Sequence, residues 1–380
     1  MAGAQYDVAV IGGGAIGLAS AWRAAARGLR TVVVDAGDPG AWHVAAGMLA
    51  PVAEAEFGEH ALLELGLRSA AAYESFCSEL PGDAGLRAKG TLVVARDADE
   101  AAALDRLHEF RARLGLEAKR LRPSQARRLE PALAPTVRLA LDVEGDHSID
   151  PRLLVAALAE AARAAGVDSR RARATAIHLE GDRVTGVDAD GFVGADAVVV
   201  AAGAGVARIA MPEHARVPVR PVKGQVLRLS DPRGPGLVDR TIRAEQAYLV
   251  PRGDGRYVLG ATMEERGWDT APTAGGVYEL VRDMSEVVPG VLELEIDELE
   301  AGLRPATPDN LPAIGRGALE GLVWATGHHR NGILLTPVTA ELVASALVGE
   351  PAPEWAAPAD PRRFERASDA VTSAPREAVA

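Results

Sequence analysis

YDVAVIGGGAIGLASAWRAAARGLRTVVVD, residues 6–35, decides the fold of this 380-residue chain. Its first six residues form an apolar run rich in β-branched side chains, which predicts a short strand. Three glycines follow, then apolar residues spaced as on a helix from about 15 to 27. Gly28 stands where that helix must end, a position at which a residue without a Cβ tolerates a left-handed backbone. TVVV at 31–34 is a continuous apolar run, the pattern of a buried parallel strand, and Asp35 sits at its end. Strand, helix and strand within about 30 residues make one βαβ unit.

Gly12-x-Gly14-x-x-Gly17 falls where the strand passes into the helix. The first glycine permits the tight turn, the second lets a pyrophosphate approach the backbone, and the third allows close helix–strand packing. The helix N-terminus adds a partial positive charge for the phosphates. Asp35, 23 residues after Gly12, can accept ribose hydroxyls and disfavours a 2′-phosphate. The segment predicts dinucleotide binding without deciding between NAD and FAD. It also has the apolar character of a secretion signal, but no basic region precedes it and Asp7 interrupts its start. No stretch approaches the ~18 uninterrupted apolar residues of a membrane span. The expectation is a cytoplasmic, soluble protein.

Length gives a prior of two to three domains, and 48% hydrophobic with 25% charged residues is the balance of a folded enzyme. Aromatics are only 4%, too few for a base-stacking surface. With 41 basic and 53 acidic residues the net charge is −12, which gives no general attraction to nucleic acid or anionic lipid. Three lysines (Lys89, Lys119, Lys223) against 38 arginines read as coding bias. One cysteine, Cys77, excludes an internal disulfide, a CxxC pair and a cysteine-built metal site.

Further along, helices are expected at 64–80, 97–114, 150–166, 279–287 and 338–347. Asp150-Pro151 supplies a capping carboxylate and a first-turn proline. Strands are expected at 90–95, 174–179, 183–188, 198–200, 218–229, 247–251, 257–263, 292–303 and 322–326, with a hairpin turn at 253–255. The stretch carrying Pro131 and Pro135 reads as loop, and the chain after Pro351 as loosely attached. Nucleotide-type elements at the start, middle and end, with sheet-like insertions between them, predict two interleaved domains. The expected fold class is α/β, a Rossmann-like FAD-binding domain (1–85, 147–215, 303–365) interleaved with an antiparallel-sheet α+β substrate domain (86–146, 216–302). Residues 366–380 are expected to be a loose tail.

AAGMLAP at 45–51, VVVAAGAGV at 198–206, GATMEE at 260–265, GLRPATPDNLPAIG at 302–315 and GHHRNGILLTPVTAEL at 327–342 settle the cofactor. In this order they resemble the glycine oxidase branch of the D-amino-acid oxidase family, over about residues 5–350. The resemblance implies FAD, held by Gly12, Gly14, Ala15, Ile16, Gly17, Asp35, Ala46, Gly47, Met48, Thr175 and Gly203. It adds the run His328, His329, Arg330, Asn331, Gly332, Ile333 and Leu334. Physically, 327–334 joins a strand to a helix and can aim backbone amides at a flavin. On spacing alone, a glycine-rich helix start without ligand stays open as the lesser alternative.

By the same resemblance Arg304 grips the substrate carboxylate, a task suited to a planar guanidinium fork. Tyr248 faces the substrate, Arg330 lies close to substrate and flavin, and Met48 and Met263 line the pocket. Read alone, the tyrosine is a strand aromatic and the methionines are core filler. Trp42 and His43 depart from the family, which has small hydroxyl residues before AAGM, so a side-chain contact to the phosphates is in doubt. No HExxH or similar spacing proposes a metal, and no GxSxG proposes a serine nucleophile. His147 reads as structural and Cys77 as a packed thiol.

The activity implied is oxidative deamination of glycine, with sarcosine and small D-amino acids as further substrates and O2 reduced to hydrogen peroxide. The imine product would serve the thiazole of thiamine, and related enzymes are homo-tetramers. Two other readings stay open: a dehydrogenase passing electrons to a quinone or carrier protein, and a flavin-binding scaffold without turnover.

Overall fold

In the computed structural model, which describes residues 5–365, the N-terminal βαβ unit folds as its sequence predicts. Strand Tyr6–Ile11 lies parallel to Thr31–Asp35 on one side and to Phe192–Val200 on the other. Helix Ala15–Ala26 joins the first two strands, and Gly28 follows its C-cap with φ +84°. Val8, Ala9, Val10, Val32, Val33 and Val34 are buried, as strands covered on both faces must be.

This sheet has eight strands. The end of Phe192–Val200 also pairs in parallel with Leu322–Thr326, against which Ala313–Arg316 runs antiparallel. Its beginning joins the antiparallel strands Arg183–Asp188 and Ala176–Glu180. Asp168–Arg171 forms an edge beyond Thr31–Asp35, a strand whose polar sequence gave no apolar signal. Helix Ala15–Ala26 packs between Pro151–Ala164 and Thr336–Leu347. Asp150 caps the former, its Oδ1 accepting from Arg152 N at 2.9 Å.

The second sheet also has eight strands, in the order Glu295–Ala306, Arg220–Ser230, Arg256–Gly260, Tyr248–Pro251, Thr241–Arg243, Thr91–Ala95, Leu139–Val143 and Lys119–Leu121. Only Thr241–Arg243 and Thr91–Ala95 are parallel neighbours. A three-stranded ribbon of Met48–Leu49, His147–Ile149 and Leu86–Arg87 lies apart from both sheets.

Three sequence expectations need correction. The stretch before Pro131 is not all loop, because Lys119–Leu121 completes the second sheet and Pro123–Leu129 is helical, with its proline in the first turn. The helix expected at 279–287 is Ala274–Ser285; Thr273 Oγ1 caps it by accepting from Gly276 N at 3.1 Å. Gly276 lies inside this helix where it packs closely, since a Cβ on it would meet the Gln225 side chain at 2.6 Å. The chain after Pro351 is not loose as far as residue 365, since two 3₁₀ turns bury Ala356, Ala359 and Pro361. His147, read as structural, is half-buried in the strand His147–Ile149 that leads into the helix Pro151–Ala164. The tail expected at 366–380 lies outside the described residues.

Candidate active site

A cavity of about 1630 Å³ runs from the glycine turn to the face of the second sheet. That exceeds the roughly 300–1,000 Å³ of an ordinary small-molecule pocket, so there is room for an extended ligand and a second, smaller one. At one end lie Gly12, Gly14 and Asp35, and at the other Tyr248, Arg304 and Arg330.

The glycines are there for space. Gly12 has φ +111°, and a Cβ on it would stand 2.5 Å from the Ala201 carbonyl oxygen. A Cβ on Gly17 would stand 1.9 Å from the Gly12 carbonyl oxygen, so the third glycine brings helix and turn together. Asp35 lies alongside, accepting from Gly13 N and Gly37 N, each at 2.7 Å. The next part of the cradle is 46–48, where Arg252 donates to Ala46 O at 2.8 Å and to Ile149 O at 3.1 Å. Burial lowers the pKa of Arg252 to about 10, which leaves it charged.

Trp42 and His43 sit in the short helix Ala41–Val44, and the Trp42 ring lies against Gly14. The His43 carbonyl accepts from Arg228 Nη2 at 2.6 Å and Arg152 Nε at 3.2 Å. His43, Glu298 and Glu300 bring possible ligand atoms within 4.8 Å of one another. Arg152 already supplies their counter-charge, with donors at 2.7 Å from Glu298 and 2.8 Å from Glu300.

The far end is built on the second sheet by two further glycines. Arg304 lies across Gly224, where a Cβ would stand 2.4 Å from its Cζ, and Tyr248 lies across Gly260, where a Cβ would stand 2.7 Å from its hydroxyl. Arg304 Nη1 donates to Thr262 O at 3.0 Å and Lys223 O at 3.3 Å, and among the described residues Arg304 makes no ion pair. Burial raises the pKa of Tyr248, and the Arg304 guanidinium beside it opposes that rise. Gly224→Ala is therefore expected to raise KM for a carboxylate substrate about tenfold or more by pushing this guanidinium aside. Steady-state kinetics check it, with FAD content as the control for folding.

The loop after Leu322–Thr326 forms the wall between the two ends. His328, His329, Arg330, Gly332 and Ile333 line the cavity. Asn331 and Leu334, expected at the cofactor, do not: they face Pro51, Leu62 and Gly66 in a separate small cavity. Asn331 ends the 3₁₀ turn His329–Asn331 and Leu334 follows it, and no spacing rule revealed that these two leave the lining. Gly17 likewise lies behind the lining, as packing. Ala15, Ile16, Ala46, Gly47, Met48, Thr175 and Gly203 all line the cavity, as does Met263, whose 61% exposure removes the core-filler reading. Tyr73 anchors the wall by donating to the Ile333 carbonyl. Three polar atoms on it are buried without a hydrogen-bond partner among the described residues: Thr326 Oγ1, His329 Nε2 and Arg330 Nε. Orphaned polar atoms beside a large cavity fit a wall that receives a polar ligand.

His328 and His329 stay neutral near pH 7 and are weak proton acceptors. Burial lowers His328 to about 3, and its Nε2 lies 3.0 Å from Thr339 Oγ1. Burial, then the Arg304 and Arg330 charges, lower His329 to about 4. A folded pKa below the unfolded one stabilises the fold above the unfolded value and loses that stability as pH falls towards the folded value. Stability is thus expected to fall between pH 6.5 and 4, and less steeply in His328→Asn, each such histidine contributing up to about 1.4 kcal/mol per pH unit. Urea unfolding at pH 7 and pH 5 checks it.

Sequence reasoning missed Glu54, Arg243, Gly224 and Gly260. Isolated glycines in strands were a usable signal of close approach, whereas Arg243 was one arginine among 38. Cys77 is half-buried, its thiol pushed up to about 11 by burial, as a packed thiol should be. No helix among the described residues is long and apolar enough to cross a membrane.

The FAD dependent oxidoreductase family model matches residues 7–346. A glycine oxidase of Bacillus licheniformis is 33% identical over 359 residues, 92% of this chain and 95% of that protein. The bifunctional protein ThiO/ThiG of Trichormus variabilis is 34% identical over 355 residues, 90% of this chain and 52% of that protein. Among solved structures, glycine oxidase from Geobacillus kaustophilus superposes with a TM-score of 0.88 at 33% identity, covering 93% of this chain and 98% of that one.

Proposed function

Because the chain belongs to the FAD dependent oxidoreductase family, we propose that it is a glycine oxidase that uses FAD and dioxygen. The observation that carries the reading is Arg304, a guanidinium without an acidic partner among the described residues, in one cavity with the glycine turn. Gly12 to Ile16 would hold the pyrophosphate by backbone amides and the helix N-terminus, and Asp35 the ribose. Residues 46–48, Thr175, Gly203 and the wall from His328 to Ile333 would surround the rest.

FAD, when bound, supplies a two-electron acceptor: the Cα hydrogen leaves the substrate as hydride and the electrons pass to O2, giving hydrogen peroxide. Arg304 holds the substrate carboxylate through paired N–H donors. Tyr248, fixed across Gly260, offers its hydroxyl beside that carboxylate and keeps water out of the same space. Arg330, together with Glu54, bounds the amine end. His328 and His329, with pKa values lowered to about 3 and 4, are weak proton acceptors, so in this reading positioning and electrostatics do most of the work. The imine hydrolyses to glyoxylate and ammonia, or is consumed directly for the thiazole of thiamine.

A cytoplasmic homo-tetramer with the interleaved domains 1–85, 147–215, 303–365 and 86–146, 216–302 belongs to the same reading. The test is peroxide release in air with glycine, sarcosine and D-alanine. Turnover of glycine that yields peroxide supports an oxidase. Turnover seen only with an added electron acceptor would make it a dehydrogenase.

A further inference from the structure

Three guanidinium groups stand in the Tyr248 end of the cavity: Arg243, Arg304 and Arg330. They are not equivalent. Arg304 is without an acidic partner among the described residues, whereas Arg243 and Arg330 both face Glu54. Arg243 Nε lies 3.7 Å from Glu54 Oε1, and Arg330 Nε 3.8 Å from Oε2. Glu59 Oε2 adds a contact of 3.7 Å to Arg330 Nη2. Two cations against two carboxylates leave no local excess, so Arg304 alone offers uncompensated positive charge around Tyr248.

Glu54 is also held in place. On one side, Asp146 accepts from Ala53 N at 2.5 Å and from Val52 N at 3.3 Å. On the other, Arg111 Nη2 donates to Ala53 O at 2.8 Å and to Ala55 O at 3.4 Å. Arg111 is 0% exposed and Asp146 1% exposed. Burying two ionisable groups is costly, and here both grip the main chain that flanks one cavity carboxylate. The main chain that carries Glu54 is thereby fixed at the edge of the cavity.

Without Glu54, a second anion would find donors. Arg243 and Tyr248 are directly opposed on neighbouring antiparallel strands, so their side chains share one face of the sheet. Arg304 reaches that face from the edge strand, across Gly224. A ligand anchored by Arg304 and extended past Tyr248 meets Arg243 next.

We propose that Glu54 is a charge filter: by neutralising Arg243 and Arg330 it lets the cavity take one carboxylate, at Arg304, and reject amines that carry a second. The substrate class is then small monocarboxylic amines, N-methyl compounds included and N-carboxymethyl compounds excluded. The inference rests on the reading of Arg304 as the carboxylate anchor. Its test needs no turnover.

Methoxyacetate and oxydiacetate are ether analogues that differ only in the second carboxylate. Each is titrated into the FAD-loaded protein, and the perturbed flavin absorption gives Kd. The wild type is expected to bind methoxyacetate more tightly. Glu54→Gln, which keeps the volume and removes the charge, is expected to shift the Kd ratio towards oxydiacetate by about tenfold or more. Adding Arg243→Met to that variant is expected to abolish the shift. A ratio within about twofold of wild type in Glu54→Gln overturns the filter. So does a wild type that binds oxydiacetate as tightly as methoxyacetate, a result that needs no variant. Absence of any methoxyacetate binding overturns the Arg304 reading itself, and is distinct from an unchanged ratio.

Discussion

Arg304→Ala is expected to lower kcat/KM for glycine by about 10²–10⁴ while the purified protein keeps its FAD. The size follows from the bonds removed: a paired, charge-assisted grip on a carboxylate in a sheltered site is worth about 3–5 kcal/mol when one partner is deleted, and each 1.36 kcal/mol is tenfold in rate. Arg304 is held by two carbonyl groups, Thr262 O and Lys223 O, and among the described residues by no carboxylate. Its loss leaves no buried acid uncompensated, so the fold should survive. Arg304→Lys keeps the charge without the fork and should recover only part of the activity. Retention of activity within tenfold of wild type, with FAD at full occupancy, would remove Arg304 from the carboxylate site.

Gly17→Ala is expected to yield protein that binds little or no FAD and unfolds at lower temperature. The added Cβ would lie 1.9 Å from the Gly12 carbonyl oxygen and 3.4 Å from Ala201 Cβ. A carbonyl in a turn between two buried elements cannot rotate away as a surface side chain can. Overpacking of this kind costs about 3 kcal/mol, and relief by moving the turn displaces the amides that face the phosphates. Thermal unfolding and the ratio of flavin to protein absorbance measure both effects. Wild-type FAD content with an unchanged unfolding temperature would show that the helix does not approach the turn so closely.

The two halves of the site differed in how far the sequence revealed them. The glycine turn was legible because local conformation dictates it: Gly12, Gly14 and Gly17 meet needs of a few consecutive residues, and Asp35 ends the next strand. Arg304 and Tyr248 entered through resemblance, since nothing in their neighbourhood distinguishes them from other strand residues. Glu54 and Arg243 were invisible because their roles arise only when distant segments meet, Glu54 from the loop after AAGMLAP and Arg243 from the second sheet. The same limit applied to Asn331 and Leu334. They belong to a run whose neighbours line the large cavity, but they themselves line a separate small one. Among secondary elements, those with strong periodicity or buried apolar runs were readable, while the polar edge strand Asp168–Arg171 was not.

The acidic composition also acquires a local meaning. A net charge of −12 gives no general attraction to polyanions, yet the site at Arg304 is locally cationic, and Glu54 with Glu59 limits how far that extends. Bulk charge and site charge are set by different residues, and substrate choice follows the second.

The most direct test of the account is anaerobic mixing of the FAD-loaded protein with glycine while flavin absorption is followed. The account expects the yellow colour to bleach within the turnover time and to return on admission of air, with one hydrogen peroxide formed per glyoxylate. Persistence of the oxidised flavin spectrum with saturating glycine, and equally with sarcosine and D-alanine, would contradict it.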